Sequence, residues 1–260
     1  MPQQYSADDT GALAIAISKV PEVTAMFWLI KIAATTLGET GGDALSMSMN
    51  LGYLVSTCIF ALVFAIAVGA QVSAKRFHPL LYWLTIIATT TVGTTLADYA
   101  DRSLGIGYAG GTTLLLALLL ASLYFWKSAL GTVSVASITT PRAEIFYWVT
   151  IMFSQTLGTA LGDWTADTEG LGYGGGIIVF GTLLVLVAAA YYRTRISRTV
   201  LFWIAFVLTR PLGAVLGDLL DKPLASGGMA LSRYSATGVL LAFIVLCIAL
   251  FPQRAARQAH

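Results

Sequence analysis

Histidine and cysteine are nearly missing from this 260-residue chain, at two of each. Cys58 and Cys247 lie in separate apolar runs, away from His78 and His260. Neither a disulfide framework nor a thiolate–imidazole metal site is therefore expected. Charge is scarce too. Lys, Arg, Asp and Glu supply 11% of the residues, against about 25% in an ordinary soluble domain. The net charge of +2 comes with no basic cluster interleaved with aromatics, which argues against nucleic acid as a partner. No serine or cysteine stands in a nucleophile–base pattern with a histidine, so neither an enzyme nor a cofactor is expected.

What the chain has is apolar length. Hydrophobic residues make up 57%, with a mean hydropathy of +0.79. Apolar runs of roughly membrane-spanning length fall at about 22–45, 51–73, 79–100, 108–127, 143–165, 172–192, 198–220 and 235–252. They predict an all-α integral membrane protein of eight transmembrane helices, because lipid leaves strands with unsatisfied backbone. Residues 1–260 read as one transmembrane domain. The stretch before the first run carries Asp8 and Asp9, a poor signal peptide, so that run is expected to be retained. Ten of the fifteen lysines and arginines fall on one side of the predicted spans, from Lys19 to Arg257. Only Arg102, Lys222 and Arg233 fall on the other. The asymmetry predicts a multi-pass protein with both termini cytoplasmic.

The spans repeat. Trp28, Trp83, Trp148 and Trp203 are spaced by 55, 65 and 55 residues, and each is followed after ten residues by a glycine and after fifteen by an aspartate. The glycines are Gly38, Gly93, Gly158 and Gly213; the aspartates are Asp43, Asp98, Asp163 and Asp218. This predicts four tandem helical-hairpin repeats, at approximately 20–74, 75–130, 140–194 and 195–253. Each unit has an even number of spans, so all four copies face the same way. At 1.5 Å per residue each aspartate lies about 22 Å beyond its tryptophan. With the tryptophans in a cytoplasmic aromatic belt, the aspartates share one depth in the outer part of the core. An aspartate inside lipid costs on the order of 2.5–3.5 kcal/mol, and four in register argue for a cation site.

The helix ends follow the form G-x-x-x-[G/A]-D, as in Gly158-Thr159-Ala160-Leu161-Gly162-Asp163. Small residues four apart let helix backbones approach closely. Stepping back from the aspartates in fours gives a polar stripe. Eleven residues after the tryptophan stand Glu39, Thr94, Thr159 and Ala214; seven after it stand Thr35, Thr90, Gln155 and Arg210. Lys31 and Arg210 are the basic residues expected inside the membrane, balancing two of the five carboxylates. The alternative for either is snorkelling to the interface. Asp101, Asp167, Glu169 and Asp221 gather at the outer ends and would concentrate cations at a mouth. Leu51-Gly52-Tyr53, Ile106-Gly107-Tyr108 and Leu171-Gly172-Tyr173 read as re-entry turns, or as carbonyls that help strip water from an ion.

The four G-x-x-x-[G/A]-D ends, with Leu-Gly-Tyr-Gly-Gly-Gly and Ile-Gly-Tyr-Ala-Gly-Gly, resemble a family of uncharacterised bacterial multi-pass "membrane-anchored" proteins. The resemblance runs from about Val20 to Phe251 and implies the bacterial inner membrane. The fourth copy lacks the Gly-Tyr pair.

Carboxylate, hydroxyl and carbonyl oxygens suit a hard cation. The expected function is transport of a divalent metal cation, manganese foremost, with exchange for protons a compatible coupling. Asp43, Asp98, Asp163 and Asp218 would bind the ion and Glu39 would assist, with Thr94, Thr159 and Gln155 along the path. The expected partners are the lipid bilayer, the transported cation and a possible second copy of the chain. The alternatives are a cation channel with an acidic ring and a non-transporting scaffold or accessory subunit.

Overall fold

Helix starts follow local chemistry. Thr24 and Thr140 accept hydrogen bonds from the backbone N–H groups of Phe27 and Ala143, and Pro79 and Pro141 occupy first-turn positions that need no donor. The computed structural model describes residues 18–168 and 170–256. Among them are eight long helices: α1 (Ala25–Asp43), α2 (Gly52–Ser73), α3 (Pro79–Asp98), α4 (Tyr108–Leu130), α5 (Pro141–Asp163), α6 (Gly172–Arg193), α7 (Arg198–Asp221) and α8 (Arg233–Leu250). After Asp43, Asp98 and Asp163 the winding loosens into one π-helical turn, whereas α7 continues to Asp221. Gly52, Gly107 and Gly172 then hold positive φ where the outer helices begin, as a tight re-entry turn requires.

The odd helices form a closed inner ring in the order α1, α3, α5, α7. The even helices surround it, but not as hairpin partners of their own repeats. α2 packs on α3, α4 on α5, α6 on α7, and α8 returns to α1. The expected hairpin is therefore a unit of sequence and not of packing.

Glycines make the ring possible. A Cβ on Gly38 would strike Thr90, one on Gly93 would strike Gln155, one on Gly158 would strike Arg210, and one on Gly213 would strike Thr35. Each is the same register: the glycine of one helix receives the side chain seven residues after the tryptophan of the next. One turn on, Gly42 meets Thr94, Gly162 meets Ala214 and Gly217 meets Glu39.

The molecule is apolar outside and polar inside. Leu62, Ile66, Leu120, Ile178, Val185 and Val239 are exposed on the outer helices, while the inner helices bury most of their threonines and all four repeat aspartates. Six helices, α2, α3, α4, α6, α7 and α8, are long and apolar enough to cross a membrane. α1 carries Lys31, Glu39 and Asp43, and α5 carries Glu144, Gln155 and Asp163, so both fall outside that group.

Candidate functional site

The inner ring is sealed at its tryptophan end. Phe27, Trp83, Tyr82, Trp148, Tyr147, Trp203 and Phe202 make a closed circuit of ring contacts with centroids 5.0 to 6.3 Å apart. Tyr82 Oη and Tyr147 Oη lie 2.6 Å apart within it. Trp83, Trp148 and Trp203 are buried in this wreath; only Trp28 is partly exposed. The tryptophans thus plug the bundle instead of forming a belt around it. The signal was an aromatic directly before each tryptophan, at Phe27, Tyr82, Tyr147 and Phe202. Below the wreath three segments cross as a cap. Ser18 Oγ donates to the carbonyl of Val135 at 2.8 Å, Lys19 pairs with Glu144 at 2.6 Å, and Ala256 N donates to Val20 O at 2.8 Å.

At mid-depth the axis is filled by Arg210, which is fully buried. Its Nη2 lies 2.9 Å from Glu39 Oε2 and 2.5 Å from each of Thr94 Oγ1 and Thr159 Oγ1. One guanidinium nitrogen on α7 therefore gathers a side chain from each of α1, α3 and α5. Gln155 is buried beside Gly93, one turn toward the wreath. Lys31 is also fully buried and does not snorkel. Its Nζ lies 3.4 Å from Thr209 Oγ1 and 4.1 Å from the centre of the Phe206 ring, and it makes no salt bridge among the described residues. Arg210, then, balances a carboxylate and Lys31 does not.

One turn further on are the four aspartates, each from 0% to 3% exposed. Two basic residues divide them into pairs. Arg102 Nε lies 3.2 Å from Asp98 Oδ1 and its Nη2 lies 3.3 Å from Asp163 Oδ2. Lys222 Nζ lies 3.1 Å from Asp218 Oδ1 and contacts Asp43 Oδ2. Arg233 adds Asp221 at 2.7 Å and Asp43 at 3.8 Å. Hydropathy alone leaves Arg102, Lys222 and Arg233 in outer loops; the structure brings them into the site. A signal existed, since Arg102 and Lys222 stand at the same register, four residues after the aspartates of the second and fourth copies. That spacing puts each over its own aspartate, and the ring puts the next helix's aspartate beside it. Burial works against the charged form of Lys222, but Asp218, Asp43 and Asp221 outweigh it and raise its pKa above the ordinary lysine value.

The residues expected at an outer mouth separate. Asp221 joins the buried group. Asp167 is exposed and accepts from Tyr108 Oη at 3.1 Å. Asp101 turns against Gly111 of α4. Glu169 lies outside the described residues.

Among the described residues, two buried trios of carboxylates could hold a cation: Glu39, Asp163 and Asp218, and Asp43, Asp218 and Asp221. Within each, one oxygen per residue lies within 4.8 Å of the others. Opposite ligands on a small hard cation sit about 4.2 Å apart, twice the ~2.1 Å metal–oxygen distance, so a modest contraction suffices. Charge points the same way. The buried carboxylates of this centre are Glu39, Asp43, Asp98, Asp163, Asp218 and Asp221, and the groups paired with them are Arg102, Arg210, Lys222 and Arg233. With Lys31 buried nearer the wreath, carboxylates still outnumber the buried cations of the bundle.

Comparison with curated proteins and with solved structures finds no match. A family model of a tandem repeat matches four times, at residues 26–77, 81–132, 146–197 and 201–254. These segments begin at the same 55-, 65- and 55-residue spacing as the tryptophans and together cover most of the chain. The chain belongs to the family described as Repeat of Unknown Function (DUF347).

Proposed function

We propose that this protein carries a hard divalent cation across a membrane, with Mn²⁺ the best match and protons the counter-cargo. The observation that carries the reading is the pair of buried carboxylate trios at ion-binding spacing, in a centre where carboxylates outnumber the basic groups paired with them. The donors are carboxylates and hydroxyls without imidazole or thiolate, which suits Mn²⁺, Mg²⁺ or Ca²⁺. Mg²⁺ gives up its water reluctantly, and that favours Mn²⁺ for a site this enclosed. The apolar outer helices support a bilayer setting, since soluble monomers rarely expose apolar surface this extensive. The lysine and arginine asymmetry supports cytoplasmic termini, and the sequence resemblance supports a bacterial inner membrane as the setting. The wreath would then close the cytoplasmic end, and the ion would enter past Arg102, Lys222 and Arg233.

Arg102, Lys222 and Arg233 also favour a second reading. They tie aspartates on different helices together, as a non-transporting scaffold would. Uptake into proteoliposomes separates the two readings, with Mn²⁺, Mg²⁺, Ca²⁺ and K⁺ offered to wild type and Asp163→Asn. Transport predicts flux of one cation that the variant loses. No flux of any cation, with an equally stable variant, would leave the scaffold.

A further inference from the structure

The wreath departs from fourfold regularity at α1. Trp28 is partly exposed and lines a cavity of about 620 Å³ between α1, α6 and α7. α2 also touches α5, and α8 touches α3, whereas neither α6 with α1 nor α4 with α7 makes a comparable approach. The walls are apolar, among them Ile32, Leu184, Ala188, Phe202 and Ala205.

The mouth is basic. Arg198 lines it, its guanidinium 4.0 Å from the centre of the Tyr191 ring, and Arg193 and Arg195 are exposed on the same connection. No Asp or Glu occurs between residues 171 and 217, so nothing on α6 or this stretch of α7 neutralises them. Glu22 precedes α1 but does not line the cavity. From Arg198 to Thr209, which also lines the cavity, the groove follows α7 for roughly 16 Å. That is about half of the ~30 Å hydrocarbon core, the depth that one acyl chain fills in its leaflet.

We propose that this groove holds one anionic phospholipid, with its phosphate on Arg198 and an acyl chain between α6 and α1. Basic pockets between membrane helices recognise anionic headgroups in this way. The proposal rests on the membrane reading and is independent of the cation site.

The test uses wild type, Arg198→Gln, Ala188→Trp and, as a control on the exposed face of α4, Leu120→Trp. Sedimentation with membranes checks the membrane reading first; a protein found only in the soluble fraction defeats that reading and this one together. Each protein is then placed in nanodiscs of mixed phosphatidylglycerol and phosphatidylcholine, and retained lipid is counted by native mass spectrometry. Wild type and Leu120→Trp should keep one phosphatidylglycerol. Arg198→Gln should lower its retention about fivefold, the share of one basic contact at the surface, and Ala188→Trp should abolish it. Equal retention by Ala188→Trp and Leu120→Trp overturns the site. Equal retention of phosphatidylcholine overturns the anionic headgroup, and displacement of the lipid by inorganic phosphate alone overturns the need for an acyl chain.

Discussion

Arg210 and Glu39 meet at 2.9 Å across the axis of the bundle, both out of contact with solvent. Neither charge has an escape to water, so the pair is worth most when one half is missing. Arg210→Met leaves Glu39 alone and should cost about 3–5 kcal/mol. Adding Glu39→Gln to that variant should restore much of the loss. Thermal unfolding in detergent of the two single variants and the double variant measures the coupling; strict additivity would contradict it.

The glycine interlock makes a second expectation. Gly158→Ala pushes a methyl group into Arg210 and Gly213→Ala pushes one into Thr35, so each should destabilise by about 1–3 kcal/mol. Gly69 and Gly181 have open space where a Cβ would go. Alanine at either should stabilise by about 0.5–1 kcal/mol through helix propensity. Melting temperatures of the four variants give the comparison.

A bound cation stabilises the form that binds it. Mn²⁺ at a hundred times its dissociation constant should raise wild-type stability by about 2.7 kcal/mol. Asp163→Asn and Asp218→Asn each remove a ligand from a carboxylate trio, and their melting should respond little to Mn²⁺. Chelation should return wild type to its metal-free melting temperature.

Lys222 sits where a second positive charge would be unwelcome, in contact with Asp43 and 3.1 Å from Asp218. Lys222→Gln should tighten divalent-cation binding by on the order of tenfold and slow release, so that turnover falls while affinity rises. Calorimetry and proteoliposome flux on the same preparation read both quantities. Weaker binding in the variant would mean that Lys222 holds the carboxylates in place and does not compete for them.

The positions of the aspartates were legible because covalent spacing fixes them: fifteen residues after each tryptophan on a helix is one depth. What surrounds them was less so. Arg102 and Lys222 read as outer-loop residues because hydropathy follows the backbone, while their long side chains reach back one turn to the buried aspartates. The tryptophans suggested a lipid-facing belt because amphipathic aromatics favour interfaces. The preceding Phe or Tyr makes a wreath instead, by closing each gap between neighbouring tryptophans. Nothing local reveals that α2 belongs on α3, since that choice is made by surfaces far apart in sequence.

The pairing of α8 with α1 also bears on how the molecule is made. During synthesis α1 waits for α8, made about 190 residues later, before its outer flank is covered. Until then Lys31, Glu39 and Asp43 on α1 lack the neighbours that α7 and α8 provide, so the nascent bundle is incomplete in its most polar part. A chain cut between its halves would leave two fragments with matching open seams, each able to finish the other.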